Sequence, residues 1–239
     1  MDAKEARVLY LHHSTGECVW KGGVPEALAA YNKTKGTSYS IEAQDFPKKK
    51  PYGWANYPYD YWNIWVKHAG NEPHMEEPTL EILTRNWDVI VFKHCFPVSS
   101  VQPDTGKPDI ESPRKSLENY KLQYNALKEK MRTFPNARFI VWTGALLSAA
   151  DTDKETAERA RGFYDWVRDA WDEKGDNVFV WDFATLEGDG GLFLRKEYEE
   201  EPGDSHPGPE FCRKTAAFFV RRLVDVIEGR GDSGSITGG

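Results

Sequence analysis

Imidazole, hydroxyl, thiol and carboxylate side chains are concentrated in four short segments of this sequence. The segments are 12–16 (HHSTG), 93–100 (KHCFPVSS), 143–145 (TGA) and 203–208 (GDSHPG). Imidazoles beside hydroxyls and carboxylates can serve nucleophilic or general acid–base catalysis, and imidazoles can also bind a metal ion. Four of the six histidines lie in these segments: His12, His13, His94 and His206. The segments form a candidate site if the fold brings them together.

Five short β-rich runs frame these segments. Most of the runs are continuously apolar, as expected of strands buried on both faces of a sheet. They are Arg7–Leu11, Ser38–Ala43, Trp87–Phe92, Arg138–Trp142 and Asn177–Trp181. Amphipathic helical patterns alternate with them, at 25–33, 112–133, 151–175 and 209–228. In the second of these helices, Ser112 is expected to cap the N-terminus, with Pro113 in the first turn.

The alternation of strands with helices predicts parallel pairing, because right-handed crossovers are nearly the only connections that join such strands. We therefore predict an α/β fold of the flavodoxin-like kind. It is a three-layer sandwich around a central five-stranded parallel sheet, with strand order 2-1-3-4-5. Ligands of open parallel sheets bind outside the carboxyl ends of the strands. The four segments are expected to meet at this edge.

The composition is that of a globular protein. For 239 residues, 39% hydrophobic and 29% charged, we expect a single domain over 1–229 and a flexible Gly- and Ser-rich tail over 230–239. The net charge of −7 disfavours nucleic acid as a partner, and no apolar run is long enough to span a membrane. The N-terminus lacks a signal-like stretch, which favours a cytoplasmic protein, although export with a signal already removed stays open. The three cysteines fit neither a closed disulfide set nor a C-x-x-C metal pattern.

Aromatic residues crowd the segment 51–66 (PYGWANYPYDYWNIWV). They exceed what one loop is expected to bury, so we predict that Trp54 and Tyr57 line a ligand site beside Asn56. Trp142 and Thr143, at the end of the fourth strand, would form a further wall of this ligand site. Such a site suits a carbohydrate or another partly apolar, hydroxyl-rich ligand. The alternative is a long structural loop held together by its aromatic side chains.

Ser14 stands in a sequence that favours a sharp turn. A small hydroxyl followed by Thr15 and Gly16 lets backbone amides, including that of Gly16, face a developing oxyanion. The alternative is that Ser14 only caps the following helix or satisfies a loop amide. His206 could likewise be a surface histidine at the start of the last helix, and Asp204 could serve an ordinary turn.

The order of these motifs resembles that of the SGNH or GDSL-like hydrolase family. In that family, the serine of a Gly-Asp-Ser motif is the nucleophile, and the Asp and His of a late Asp-x-x-His motif complete a triad. The resemblance implies that Ser14 attacks, His206 accepts its proton and Asp204 orients the imidazole. In this chain His-His-Ser replaces Gly-Asp-Ser, and the motif Asp-Ser-His replaces Asp-x-x-His.

The resemblance also indicates which residues would hold the oxyanion. Gly53 or Asn56 would stand for the glycine of the family's second motif. The family's Gly-x-Asn-Asp motif aligns with 93–96 (KHCF), so Lys93 and His94 occupy the region of its oxyanion-binding Asn. The implied activity is serine-dependent ester hydrolysis, without a cofactor, of an acylated carbohydrate or a small ester.

Two other functions stay open at this point. His12, His94 and His206, with His13 and Asp204, offer ligands for a divalent metal ion that could activate water. Adjacent histidines at a strand end point to opposite faces, which disfavours joint binding by His12 and His13. A relative that has lost its oxyanion Asn could instead bind carbohydrate without catalysis. The natural substrate and the oligomeric state are not indicated by the sequence.

Overall fold

A parallel sheet of five strands forms the centre of the molecule. The computed structural model describes residues 4–53 and 55–239. Neighbouring strands are parallel, and their order is β2-β1-β3-β4-β5. The strands are β1 (Glu5–His12), β2 (Ser38–Asp45), β3 (Val89–Phe92), β4 (Arg138–Trp142) and β5 (Val178–Trp181). The predicted fold class and strand order are confirmed.

Helices cover both faces of the sheet. They are α1 (Thr15–Lys21), α2 (Val24–Lys35), α3 (Pro58–Trp62), α4 (Leu80–Leu83), α5 (Leu117–Arg132), α6 (Lys154–Trp166), α7 (Phe183–Gly188) and α8 (Pro209–Ile227). Two of them, α3 and α6, continue into single π-helical turns. Within the described ranges, no helix is both long enough and apolar enough to cross a bilayer.

Alternation along the strands divides the core into two layers. Leu9 and Leu11 of β1 pack in the layer that contains α5 and α6. Tyr10, which points the other way, packs in the layer that contains α1, α2 and α8. The same alternation in β3, β4 and β5 buries both faces of the sheet. The loops at the carboxyl ends of the strands are left to form a site.

The start of α5 differs from the sequence prediction. The helix begins at Leu117, after Ser116, and not near Ser112. The segment before it pairs with a neighbouring loop, since the N–H of Gln102 donates to the carbonyl of Lys115 at 2.7 Å. The Lys115 carbonyl is therefore engaged outside the helix and does not accept the hydrogen bond that an earlier helix start would require.

The C-terminal segment 230–239, expected from its composition to be flexible, lies against β5. The indole N–H of Trp181 donates to the carbonyl of Thr237 at 2.8 Å. The backbone N–H of Asp182 donates to Ile236 at 2.9 Å. The Ile236 side chain packs on the core. The Gly and Ser content did not indicate these contacts.

Candidate active site

Ser14 lies between β1 and α1 in an uncommon backbone conformation. Its φ is 51° and its ψ is −113°, and a residue other than glycine in such a region costs on the order of 1–3 kcal/mol. Its carbonyl accepts hydrogen bonds from the N–H groups of Glu17 and Cys18, at 2.7 and 3.1 Å. Its hydroxyl makes no capping hydrogen bond. The hydroxyl therefore does not serve as a helix cap.

The Ser14 hydroxyl meets His206 across the carboxyl edge of the sheet. The distance from Ser14 Oγ to His206 Nε2 is 2.7 Å, and that from His206 Nδ1 to Asp204 Oδ1 is 2.8 Å. An ionised carboxylate only accepts hydrogen bonds, so Nδ1 carries the proton and Nε2 is left to accept one from the hydroxyl. The structure thus brings together the three residues that the sequence singled out as a triad.

Asp204 holds His206 through a single carboxylate oxygen. Oδ1 accepts the backbone N–H of His206 at 2.9 Å as well as the ring N–H. The two hydrogen bonds close a turn in which Asp204 orients the His206 ring, although only one residue separates the Asp from the His and not the two of an Asp-x-x-His motif. The hydrogen bond from the His206 backbone lowers the pKa of Asp204, and the ring hydrogen bond lowers it further. The side chains of His206 and Asp204 are 37% and 36% exposed, so solvent reaches the pair.

Gly16 serves packing beneath this turn. A Cβ atom on Gly16 would lie 2.6 Å from the Cβ of His12 and 2.6 Å from the hydroxyl of Tyr10, which leaves no room for a side chain. Its N–H donates to the carbonyl of His13 at 3.0 Å. The amide predicted to face an oxyanion is therefore already engaged.

The backbone N–H groups of Ser14 and Gly53 donate to no residue in the described part of the chain. Gly53 has a φ of 109°, and no described atom lies within 4 Å of the position that its Cβ would take. Asn56, in contrast, is fully buried and donates its side-chain amide to the carbonyl of Phe46 at 3.1 Å. Asn56 therefore stabilises the loop after β2 and does not reach a ligand.

Lys93 and His94 are also in the interior, each only 1% exposed. The ammonium group of Lys93 donates to the carbonyl of His94 at 2.7 Å. The His94 ring lies among aromatic rings, 4.5 Å from that of Tyr61 and 5.6 Å from that of Tyr124. Direct contact of either side chain with a substrate, as the sequence suggested, is not possible in this arrangement.

The aromatic segment after β2 is largely core. Tyr57, Tyr61 and Trp65 are buried. The Tyr57 hydroxyl donates to the carbonyl of Pro113 at 2.8 Å, which ties the segment to the chain before α5. The structure thus favours the structural alternative for most of these rings. The predicted contact of Trp54 lies outside the described residues.

The predicted wall after β4 is buried as well. Trp142 stacks on Tyr10, with ring centroids 5.2 Å apart, inside the layer of α1 and α8. The Thr143 hydroxyl donates to the Asp182 carboxylate at 2.7 Å. Both side chains therefore support the end of β4 and do not line a ligand site.

The histidines proposed as metal ligands are dispersed. Among the described residues, no group of three or more His, Cys, Asp or Glu side chains could hold a metal ion. His12 stacks on Tyr10, with ring centroids 4.4 Å apart. His13 bonds the carbonyl of Pro47 at 2.7 Å. His94 is enclosed by aromatic rings. In the part of the chain that the structure describes, the proposed histidine ligands therefore do not meet around His206, and the metal-assisted hydrolase has no assembled metal site.

His94 makes the stability of the fold sensitive to acid. Burial, and then the charge of Lys93, lowers the pKa of His94 well below 6.5, and neither ring nitrogen bonds a described residue. The unfolded chain therefore binds more protons than the folded chain below about pH 6.5, so stability falls as the pH falls. Between the folded and the unfolded pKa, each pH unit costs about 1.4 kcal/mol for one such histidine.

We expect His94→Phe to flatten this dependence. Urea unfolding near pH 7 and near pH 5 should show a smaller loss of unfolding free energy for the variant, by at most about 2 kcal/mol. His12, whose pKa burial lowers to about 4, remains as a source of acid sensitivity in both proteins. Equal losses for the variant and the wild type would contradict the assignment of a neutral, buried His94.

One aromatic contact at the site was not predicted from the sequence. The ring of Phe96 meets that of His206 edge-on, with centroids 5.0 Å apart and an interplanar angle of 82°. Phe96 belongs to the chemistry-bearing segment after β3, which is the signal that could have found it. The contact packs an apolar ring against the imidazole.

A cavity of about 390 Å³ lies between α1 and α8, and none of Ser14, Asp204 and His206 lines it. Its lining includes Cys18, one turn after Ser14, and Pro207, which follows His206. Lys21 and Arg213 also line it. Pockets for small ligands are typically about 300–1,000 Å³, and this cavity falls within that range.

Comparisons with known proteins identify the fold. No family model and no curated protein matches the chain. The solved structure of an acetyl xylan esterase, AlAXEase, matches with a TM-score of 0.51 and 15% identity over 88% of this chain and 96% of that one. A gut microbial diltiazem-metabolizing enzyme matches with a TM-score of 0.49 and 9% identity over 97% of this chain and 48% of that one. A family 2 carbohydrate esterase with a carbohydrate-binding domain, from Corynascus thermopiles (Myceliophthora fergusii), has a TM-score of 0.40, with 11% identity over 95% and 67%. The match to the acetyl xylan esterase shows that the chain shares its fold with that enzyme.

Proposed function

We propose that this protein is a serine-dependent ester hydrolase whose nucleophile is Ser14. The observation that carries the proposal is the hydrogen-bonded chain from Ser14 to His206 to Asp204, with distances of 2.7 and 2.8 Å. Backbone strain clusters at functional sites, so the positive φ of Ser14 supports the same assignment. The fold shared with an acetyl xylan esterase is consistent with it.

The proposed reaction has two steps. Ser14 Oγ attacks the ester carbonyl while His206 Nε2 takes the hydroxyl proton; His206 then returns this proton to the departing alcohol, which leaves an acylated serine. His206 deprotonates a water molecule, which attacks the acyl group. His206 then returns the proton to Ser14 Oγ as the acyl–oxygen bond breaks, which releases the carboxylic acid and restores the serine hydroxyl. Asp204 stabilises the imidazolium that forms in each step and keeps the ring in the required tautomer.

Backbone groups would hold the oxyanion. The open N–H of Ser14 is the first donor, because it belongs to the residue whose oxygen attacks. We assign the N–H of Gly53 as the second donor, because the loop after β2 offers an unhindered backbone at that position. The substrate that we propose is a small ester or an acylated carbohydrate, by analogy with the acetyl xylan esterase that shares the fold.

A serine-reactive fluorophosphonate probe tests the nucleophile. We expect the probe to label the wild-type protein at Ser14, located by peptide mapping. The same preparation should release acetate from p-nitrophenyl acetate and from acetylated xylo-oligosaccharides. Faster release from the oligosaccharides would favour the carbohydrate ester, whereas release from the aryl ester alone would favour a small ester.

Three outcomes would overturn the proposal. Labelling at a residue other than Ser14 would move the nucleophile, and activity abolished by a chelator would favour metal-assisted hydrolysis. Absence of both labelling and hydrolysis, together with a change of Trp fluorescence on adding xylo-oligosaccharides, would favour a non-catalytic carbohydrate-binding protein.

A further inference from the structure

A hydrogen-bonded cluster holds the middle residue of the Asp-Ser-His segment. The Ser205 hydroxyl donates to Asp151 Oδ2 at 2.5 Å and accepts the N–H of Ser148 at 2.9 Å. The Ser148 hydroxyl donates to the carbonyl of Gly203 at 2.7 Å. Ser205 and Ser148 are 3% and 0% exposed, whereas Asp151 is exposed, so the two serines hold the buried side of the cluster.

We infer that these three residues form a positioning clamp for the catalytic histidine and aspartate, an inference that rests on the proposed function. The serine clamp is Ser148, Asp151 and Ser205. None of the three touches the reacting atoms. Each acts through the backbone that carries Asp204 and His206.

The exposure of the site explains why a clamp is needed. The side chains of Asp204 and His206 are more than one third exposed, so packing alone does not fix them. Ser205 lies between them in the chain and is buried, and a rotation of its backbone would displace both neighbours at once. Holding Ser205 therefore sets the direction of both functional side chains.

The clamp connects this segment to another element. Other backbone bonds close the segment on itself, such as those from Glu200 N–H to His206 at 2.8 Å and from Gly208 N–H to Tyr198 at 2.7 Å. The serine clamp instead ties it to the loop that follows β4. The sheet, which also supports Ser14 at the end of β1, thereby becomes the common frame for nucleophile and base.

Removal of the clamp should impair turnover more than substrate binding. We expect Ser205→Ala and Asp151→Ala each to lower kcat for p-nitrophenyl acetate about 10- to 100-fold, with KM changed by less than about twofold. Asp151→Asn keeps an acceptor oxygen and should retain kcat within about threefold of the wild type. The double variant should lose no more than the worse single variant, because both residues act through one hydrogen bond.

Thr79→Ala is the matched control. Thr79 is fully buried, and its hydroxyl donates to the carbonyl of Gly70 at 2.5 Å, in the chain segment before α4. The Thr79→Ala substitution removes a comparable buried hydroxyl outside the triad loops, so the kcat of this variant should match that of the wild type. Near-wild-type kcat in folded Ser205→Ala and Asp151→Ala proteins, or equal loss of kcat in Thr79→Ala, would overturn the clamp. If Ser205→Ala does not fold, the exposed Asp151 provides the deciding variants.

A measurement without substrate separates the clamp from the proposed activity. The Nδ1–H proton of His206, bonded to Asp204, should be observable by ¹⁵N-edited NMR in the wild type. Loss of this signal through exchange with solvent in Ser205→Ala and Asp151→Ala would support the clamp. This support would stand even if the wild-type protein shows neither labelling nor hydrolysis, because that result would overturn only the proposed hydrolase activity. An unchanged signal in both variants would overturn the clamp alone.

Discussion

Ser14→Ala is expected to lower kcat for ester hydrolysis by at least about 10⁴-fold, because it removes the hydroxyl that forms the proposed acyl intermediate. The exposed Ser40 on β2 provides a matched control, and Ser40→Ala should retain the wild-type rate. Initial rates with p-nitrophenyl acetate and labelling by the fluorophosphonate probe measure the effect. A Ser14→Ala protein with the wild-type rate would exclude Ser14 as the nucleophile.

Ser14→Gly distinguishes the chemical role of the hydroxyl from the strain in its backbone. Glycine adopts a φ of 51° at little cost, whereas alanine retains the strain. The glycine variant should therefore be as inactive as Ser14→Ala but more stable, with a difference on the order of 1 kcal/mol in urea unfolding. Equal stability of the two variants would mean that the strain at Ser14 is relieved in solution.

The architecture was predictable because its signals are local and repeated. Buried parallel strands are continuously apolar, and the amphipathic helices between them fix the hand of each crossover. These two facts indicated a parallel sheet, and the common direction of its strands placed the loop of Ser14 at the carboxyl edge. The direct contact between Ser14 and His206, at 2.7 Å, required in addition the turns around both residues, which the sequence pattern indicates only loosely.

Which side chains face the site was less predictable, because burial depends on partners distant in sequence. Lys93 and His94 directly follow β3, where polar residues usually mark a site. The Lys93 ammonium is instead bound by the carbonyl of His94, and the His94 ring is enclosed by aromatic rings. Tyr57 belongs to an aromatic run that resembles a sugar platform, but α3 packs it against the chain before α5. No local pattern distinguishes an aromatic residue that binds a ligand from one that covers a helix.

His206→Ala is expected to reduce kcat as severely as Ser14→Ala, by about 10⁴- to 10⁶-fold, since nucleophile and base act as one unit. For the same reason, a protein carrying both substitutions should be no slower than either single variant. Rates of acetate release from the three proteins measure this lack of additivity. Losses that multiply in the double variant would show that Ser14 and His206 act independently, and the hydrogen bond between them would then have no catalytic role.

The kcat of Asp204→Asn should lie between those of these variants and that of the wild type, because of the turn in which Asp204 lies. The same oxygen that accepts the ring N–H also accepts the backbone N–H of His206, at 2.9 Å. An asparagine oxygen held by that backbone bond can still orient the ring in the required tautomer, but it lacks the charge that stabilises the imidazolium. The expected loss is thus smaller than the about 10⁴-fold loss that follows when an amide imposes the wrong tautomer in a serine protease triad. A loss as large as that of His206→Ala would indicate that the amide turns its NH₂ group to the ring, and that the backbone hydrogen bond is too weak to hold the oxygen in place.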